Sequence, residues 1–210
     1  MDLHGFFRSG AAYRVRIALN LKGVTVRHIP HHLRKGEQRD PAYLALNPQG
    51  LVPALVTDGG DVLTQSLAII EWLEETHPAP ALLPGDAVAR AKIRAFCYAI
   101  ACDIHPIQNL KVLQKLGSMG HGQDEVDAWM RWVIGEGFTA CEQLVAGSPG
   151  PFAFGAAPTM ADVLLVPQFL NARRAKLDLS PFPRLCAIET ACLAHPAFAA
   201  AAPDKQPDAE

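Results

Sequence analysis

A mixed α/β domain followed by an all-helical one is the architecture this sequence predicts, and three features carry the prediction. Residues 1–80 alternate short β-branched or aromatic runs with one-sided helical patterns. "HPAPALLPGD", His77 to Asp86, interrupts every pattern, because Pro78, Pro80 and Pro84 can neither continue a helix nor serve a central strand. Beyond it, apolar spacing is helical throughout. The expected division is residues 1–80, a linker at 77–86, and a helical domain at 87–210.

The elements follow in order. Leu3–Phe7 and Val24–Ile29 read as strands, and Tyr13–Lys22 between them as a helix with Val15, Ala18 and Leu19 on one face. Gly23 suits the left-handed position that closes such a helix. Strand, helix, strand at this spacing implies a parallel pair with a right-handed crossover. Val52–Val56 and Val62–Thr64 flank the turn Asp58-Gly59-Gly60-Asp61, and Gln65–Glu75 reads as a helix. The order βαβ, then ββα, is the thioredoxin-like arrangement.

Farther on, helices are expected over Ala87–Leu116, Asp124–Val145, Thr159–Lys176 and Pro183–Leu193. Thr159-Met160-Ala161-Asp162 has the form of a capping box with Asp in place of Glu. Ala201–Glu210 is polar and proline-containing, and is expected to fray.

Bulk composition narrows the function classes. Of 210 residues, 50% are apolar and 19% charged, enough for a buried core, and the net charge of -2 offers no field to recruit nucleic acid or an anionic membrane. No apolar run reaches the ~20 residues of a membrane span. Met1-Asp2-Leu3-His4 does not open a signal peptide, so a cytoplasmic location is expected. The five cysteines (Cys97, Cys102, Cys141, Cys186, Cys192) form no CxxC and are expected to be reduced core residues. His28, His31 and His32 lie close in sequence but lack neighbouring carboxylates or thiols, so no metal is expected.

Candidate site residues gather where the α/β domain presents backbone. Val52-Pro53 is a candidate cis peptide, which in this fold turns Val52 toward an extended peptide ligand; the alternative is an edge-strand proline without a role. Gln65-Ser66 opens a helix, whose free N–H groups and positive end suit a carboxylate; Ser66 could equally be an ordinary cap. Ser9, before Gly10, opens the first helix. There its hydroxyl and the helix dipole would favour a docked thiolate over a thiol, unless it too is only a cap. Arg8 beside it is suited to clamp a substrate carboxylate.

These residues lead to a family. "FFRSGAAYRVRIALNLKG", "ALNPQGLVPAL", "LTQSLAIIEWLEE", "PALLPGD" and "LVPQFLNARRAKLDLSPFPRL" resemble the zeta-class glutathione transferases, among them the maleylacetoacetate and maleylpyruvate isomerases. The resemblance spans most of the chain in order and spacing. It implies the glutathione transferase fold, with glutathione as cofactor, no metal, and a homodimer. By the same resemblance, Ser9 activates the thiol, Val52 pairs with the cysteinyl backbone, and Gln65 and Ser66 hold the γ-glutamyl end. Gln49 and His32 lie where the glycyl end is expected. Gln108 and Asn109 of "HPIQNLKVL" match positions that reach the active site from the helical domain, and Arg174 matches a ligand for a substrate carboxylate. Arg173 is expected to be a solvated charge. His105 is either an active-site residue or a helix-kink partner.

Two departures stand out. The family often has Ser-Ser-Cys-Ser or Ser-Gly-Thr-Ser after the arginine, whereas here the run is Ser9-Gly10-Ala11-Ala12. Leu110-Lys111 stands where some maleylpyruvate isomerases carry two arginines, which leans toward maleylacetoacetate. The resemblance implies a glutathione-dependent cis–trans isomerase of a maleyl diacid. The competing readings are a general glutathione transferase or peroxidase, and a noncatalytic binding module of the same fold.

Overall fold

The computed structural model describes residues 1–210 as two compact units, Met1–Ala81 with His195–Glu210, and Leu82–Ala194. The expected helical domain of residues 87–210 thus ends earlier. Its last segment groups with the α/β unit.

In the first unit, β1 (Asp2–Gly5), α1 (Gly10–Lys22) and β2 (Arg27–Pro30) form the βαβ element. Helix α2 (Pro41–Leu46) follows, then β3 (Ala54–Val56), β4 (Val62–Thr64) and α3 (Ser66–Thr76). Strand order is β2-β1-β3-β4, with β1 parallel to β2 and both other pairs antiparallel. Leu3 registers with Leu55, and Leu55 with Leu63, so apolar residues line up across the sheet.

Helix α1 is buried almost all round, with Val15, Ile17 and Ala18 fully enclosed. It ends at Gly23, φ +66°, where Gly23 and Val24 donate to Asn20 and Leu19 carbonyls. Those bonds hold the chain out of the sheet until Arg27, later than the expected strand start at Val24. Lys22 ties α1 to α3 through Glu74 at 2.5 Å and to the Pro80 carbonyl at 2.7 Å.

The second unit contains α4 (Ala87–Tyr98), a π-helical turn (Ala99–Ile104), α5 (Leu110–Ser118), α6 (Gln123–Val145), α7 (Met160–Arg174) and α8 (Pro183–Leu193). The helix expected from Ala87 to Leu116 is therefore broken. Pro106 has no N–H to donate, and Asn109 starts a fresh helix by accepting from Lys111 N–H at 3.4 Å. Phe138 anchors the core against Phe169 and Phe182, with ring centroids at 5.0 and 5.6 Å. Asp162 reaches back to the Thr159 N–H at 2.7 Å and also accepts from Ala153 N–H at 2.8 Å. Glu142 accepts from the Arg184 and Leu185 N–H groups, meeting the positive end of α8 with a negative charge.

Of the cysteines expected in the core, Cys97, Cys141 and Cys192 are buried, but Cys102 is exposed and Cys186 half-buried. Burial pushes the Cys141 thiol up to about 12. No helix is long and apolar enough to cross a membrane. Residues 201–210, expected to fray, are instead structured. Helix α9 (Pro196–Ala201) packs on α1, and a 3-10 turn follows at Pro203–Lys205.

Candidate active site

Phe6 and Phe7 are buried side chains that end the β1 segment in the core, and the chain turns directly into α1. Ser9 is the cap of that helix, with extended backbone and its Oγ accepting from Ala12 N–H at 3.2 Å. A hydroxyl that accepts with one lone pair keeps its proton to donate elsewhere. The cap role therefore leaves the Ser9 proton available, and the two readings of this residue do not exclude each other. Arg8 and Ser9 are both half-buried, and Gly10 is buried.

The second helix opening is built more tightly. Thr64 ends β4, Ser66 begins α3, and Gln65 alone makes the corner with φ +67° and ψ 120°. Such backbone is costly for a residue with a Cβ and concentrates at ligand sites. The corner leaves Gln65 exposed, with its Nε2 donating to Gln49 Oε1 at 2.8 Å. Ser66 is buried and accepts from Arg14 Nη1 at 3.4 Å.

Val52 and Pro53 are joined by a cis peptide immediately before β3, as predicted. The loop before them is shaped by Asn47. Its side chain donates to the Leu51 carbonyl at 2.7 Å and accepts from Gln49 N–H at 3.1 Å. Tyr43 also donates to Leu51, at 2.6 Å. Gly50, φ +60°, cannot be replaced easily, since a Cβ there would lie 2.7 Å from Arg39 Nη1. Gln49 is thereby held out on the loop that faces Gln65.

The histidines go to different partners. His32 Nε2 lies 3.1 Å from Glu210 Oε1, while its Nδ1 accepts from Lys35 N–H. His31 Nε2 and His4 Nδ1 are 2.9 Å apart with stacked rings, and burial holds both below the usual imidazole range. His28 is exposed on β2.

Within the helical unit, His105, Gln108 and Asn109 cluster in sequence at the break between the π-helical turn and α5. His105 N–H donates to the Ile100 carbonyl at 2.9 Å, five residues back, a pattern frequent at functional sites. His105 is half-buried and Gln108 buried. Arg174 is the exposed last residue of α7. Arg173 departs from expectation: it is paired with buried Glu189 through both guanidinium ends and lies 5.4 Å over the Phe169 ring.

Arg14 and Asn47, neither of which stands out in the sequence, support Ser66 and the loop before Val52. In chemical terms, the α/β unit offers two helix N-termini, one with a free hydroxyl proton, beside exposed amides on a shaped loop. Such a set fits an extended peptide carrying a thiol and anionic ends.

Comparison with known proteins agrees with this chemistry. The family described as the glutathione S-transferase N-terminal domain matches residues 8–76. A maleylpyruvate isomerase of Ralstonia sp is 50% identical, with 99% of each chain covered. A maleylacetoacetate isomerase of Pseudomonas aeruginosa is 48% identical over 99% of this chain and 98% of its own. Among solved structures, a glutathione-containing maleylacetoacetate isomerase of Anaeromyxobacter dehalogenans is 43% identical, covers 100% of this chain and 97% of its own, and superposes with a TM-score of 0.91. A holo maleylpyruvate isomerase, a bacterial zeta-class glutathione S-transferase, reaches 0.97 at 49% identity with both chains fully covered.

Proposed function

The chain belongs to the zeta-class glutathione S-transferases, and from that premise we propose that it is a glutathione-dependent cis–trans isomerase. Its substrate is a maleyl diacid, maleylacetoacetate or maleylpyruvate, converted to the fumaryl isomer in the breakdown of aromatic compounds. The observation that carries the reading is Ser9: a helix cap whose Oγ is engaged as an acceptor and whose proton remains to be given.

When bound, glutathione supplies the sulfur nucleophile whose reversible addition frees the double bond to rotate. Ser9 donates to that sulfur and, with the positive end of α1, favours its anionic form. Ala11 offers no second hydroxyl or thiol, so Ser9 and the backbone N–H groups of α1 carry this task alone. Val52 presents backbone to the cysteinyl residue. Gln65 and Ser66 hold the γ-glutamyl carboxylate at the start of α3, with Arg14 behind Ser66 adding positive charge. Gln49 and His32 serve the glycyl end.

Arg8 and Arg174 bind the substrate carboxylates and meet negative charge developing on its carbonyl oxygen, a type of contact whose loss costs about 2.7–4 kcal/mol. On the same reading His105 joins Arg8 and Arg174 in binding the substrate, while Gln108 and Asn109 contribute to glutathione binding. The proposed working form is a homodimer, which light scattering tests directly, acting in the cytoplasm.

Following the ultraviolet absorbance of both maleyl substrates, with and without glutathione, tests the activity. Conversion only in the presence of glutathione is expected; its absence for both substrates would reject the reading. A general transferase acting on electrophiles would conjugate chlorodinitrobenzene equally well after Arg8→Ala and show no isomerisation to lose.

A further inference from the structure

The backbone just before Arg8 and Ser9 is gripped from both sides by side chains with no role so far. Phe7 N–H donates to Asp208 Oδ2 at 2.9 Å. The Phe7 carbonyl accepts from Arg16 Nη2 at 3.0 Å, and Arg16 Nη1 reaches the Phe6 carbonyl at 3.5 Å. That Phe6 carbonyl also accepts the N–H of Ser9 itself, at 2.9 Å. Arg16 is 4% exposed, and its Nε donates to the Ala201 carbonyl at 3.1 Å. One guanidinium therefore links the catalytic turn to the segment that bears Asp208.

We propose that Arg16 and Asp208 are positioning residues. They clamp the Phe6–Phe7 backbone so that the Ser9 hydroxyl and the open end of α1 point at the sulfur of bound glutathione. The inference rests on the reading of Ser9 given above. Both grips are charge-assisted, the stronger kind of hydrogen bond, and they fix the N–H and the C=O of one residue simultaneously. The two peptide groups that flank Phe7, just before Ser9, are thus each held by a charged side chain.

Charge explains why the two residues go together. A guanidinium enclosed as deeply as Arg16 needs a nearby anion. Burial lowers it to about 10, and the Asp208 carboxylate acts in the opposite sense. His28 responds to the same two charges, lowered by burial and Arg16 and raised by Asp208. Glu210, by pairing with His32, lays the segment along the same loop. Residues 203–210 are thus part of the site's framework.

The test uses the full chain carrying Asp208→Ala, with two readouts. The first is the titration of the bound glutathione thiol, followed by thiolate ultraviolet absorbance. The second is amide hydrogen exchange over Phe7–Ser9, which needs no ligand. The expected result is a rise of about one unit in the thiol pKa, hence severalfold and at most about tenfold less thiolate at neutral pH. Exchange across Phe7–Ser9 should speed by about tenfold or more, with the rest of the chain unchanged.

Asp208→Asn keeps an acceptor for Phe7 N–H but removes the anion that faces Arg16, so it should restore both signals only in part. Asp204→Ala, an exposed acid of the same segment, should match the parent. Parental titration and parental exchange in Asp208→Ala would overturn the clamp. A parent chain that binds glutathione but isomerises neither maleyl substrate refutes the isomerase reading, while the titration still decides the clamp. A parent chain that binds no glutathione refutes the site reading, and the exchange rates alone then uphold or overturn the clamp.

Discussion

Gln65 donates through its side-chain amide to Gln49 across 2.8 Å, and it does so from a backbone conformation with φ +67°. Backbone of this kind costs a non-glycine residue about 1–3 kcal/mol. Gln65→Gly relieves that cost but adds freedom to the unfolded chain, worth about 0.4–1 kcal/mol in the other direction. The expected net effect is a gain of about 1 kcal/mol in urea unfolding, together with glutathione binding weakened about tenfold or more through loss of the amide. Gln65→Ala should weaken binding equally without the gain. Titration calorimetry and denaturation on the two variants check this, and a less stable Gln65→Gly would show that the corner is unstrained.

The cap seen at Ser9 and the donor role proposed for it predict effects of different size from one substitution. Ser9→Ala removes the acceptor for Ala12 N–H, a cap worth about 1 kcal/mol of stability. It also removes the donor to the sulfur, which should lower kcat by about 10²–10³. Without that donor the thiol pKa returns toward its free value of ~8.5. The acid limb of the pH–rate profile should therefore move to higher pH. An unshifted limb would mean that backbone N–H groups alone hold the thiolate.

What the sequence made legible follows from how local each signal is. The βαβ and ββα order, the cap at Ser9, the helix opening at Gln65-Ser66 and the Thr159–Asp162 box all lie within a few neighbouring residues, whereas the left-handed corner at Gln65 has no sequence signal. Helix α2 has only a short signal, Asp40-Pro41 with proline at the first helical position, and no apolar period long enough to mark a helix. The interruption at residues 99–109 is hidden because apolar spacing continues through it, and only Pro106 marks the missing donor. Arg14 and Arg16 had a faint signal: they flank Val15 in a helix too apolar to leave a face for solvent. Asp208 had none. Its partner Phe7 lies at the other end of the chain, and no periodicity or turn chemistry links positions so distant.

The His4–His31 contact sets a pH dependence of stability. Nitrogen atoms 2.9 Å apart require one donor and one acceptor, so the two rings cannot both be protonated there. Burial lowers both, and for His4 the charge of His31 adds to the effect. Glu37 and Asp40 pull His31 the other way, less strongly. With folded pKa values below the unfolded value of ~6.5, the unfolded chain binds more protons in this window. Stability is therefore fully present above ~6.5 and is lost as pH falls through the lowered values. Urea midpoints should drop between about pH 7 and pH 5. His31→Gln, which keeps a neutral partner for His4, should flatten that drop in part, since His28 is lowered as well. Equal slopes in parent and variant would assign the dependence elsewhere.

Arg173 and Arg174 are adjacent, similar in side chain, and expected to fail in opposite ways. Arg173 holds Glu189, whose side chain is 5% exposed, so Arg173→Ala leaves a carboxylate enclosed without its countercharge. Breaking a fully buried pair costs about 3–5 kcal/mol. Arg173 is itself half-exposed, and water can follow its removal, so about 2 kcal/mol is the expected loss. Arg173→Lys should recover little, because a point charge cannot replace the two-ended grip. On the role proposed for Arg174, Arg174→Ala instead removes a charged hydrogen bond to the substrate, worth about 1.5–3 kcal/mol, and should lower kcat/KM by about 10–100-fold. Its effect on urea unfolding should be the smaller of the two. Measuring both quantities on both variants decides the assignment: if Arg173→Ala costs more catalysis than Arg174→Ala, the roles given to these arginines are reversed.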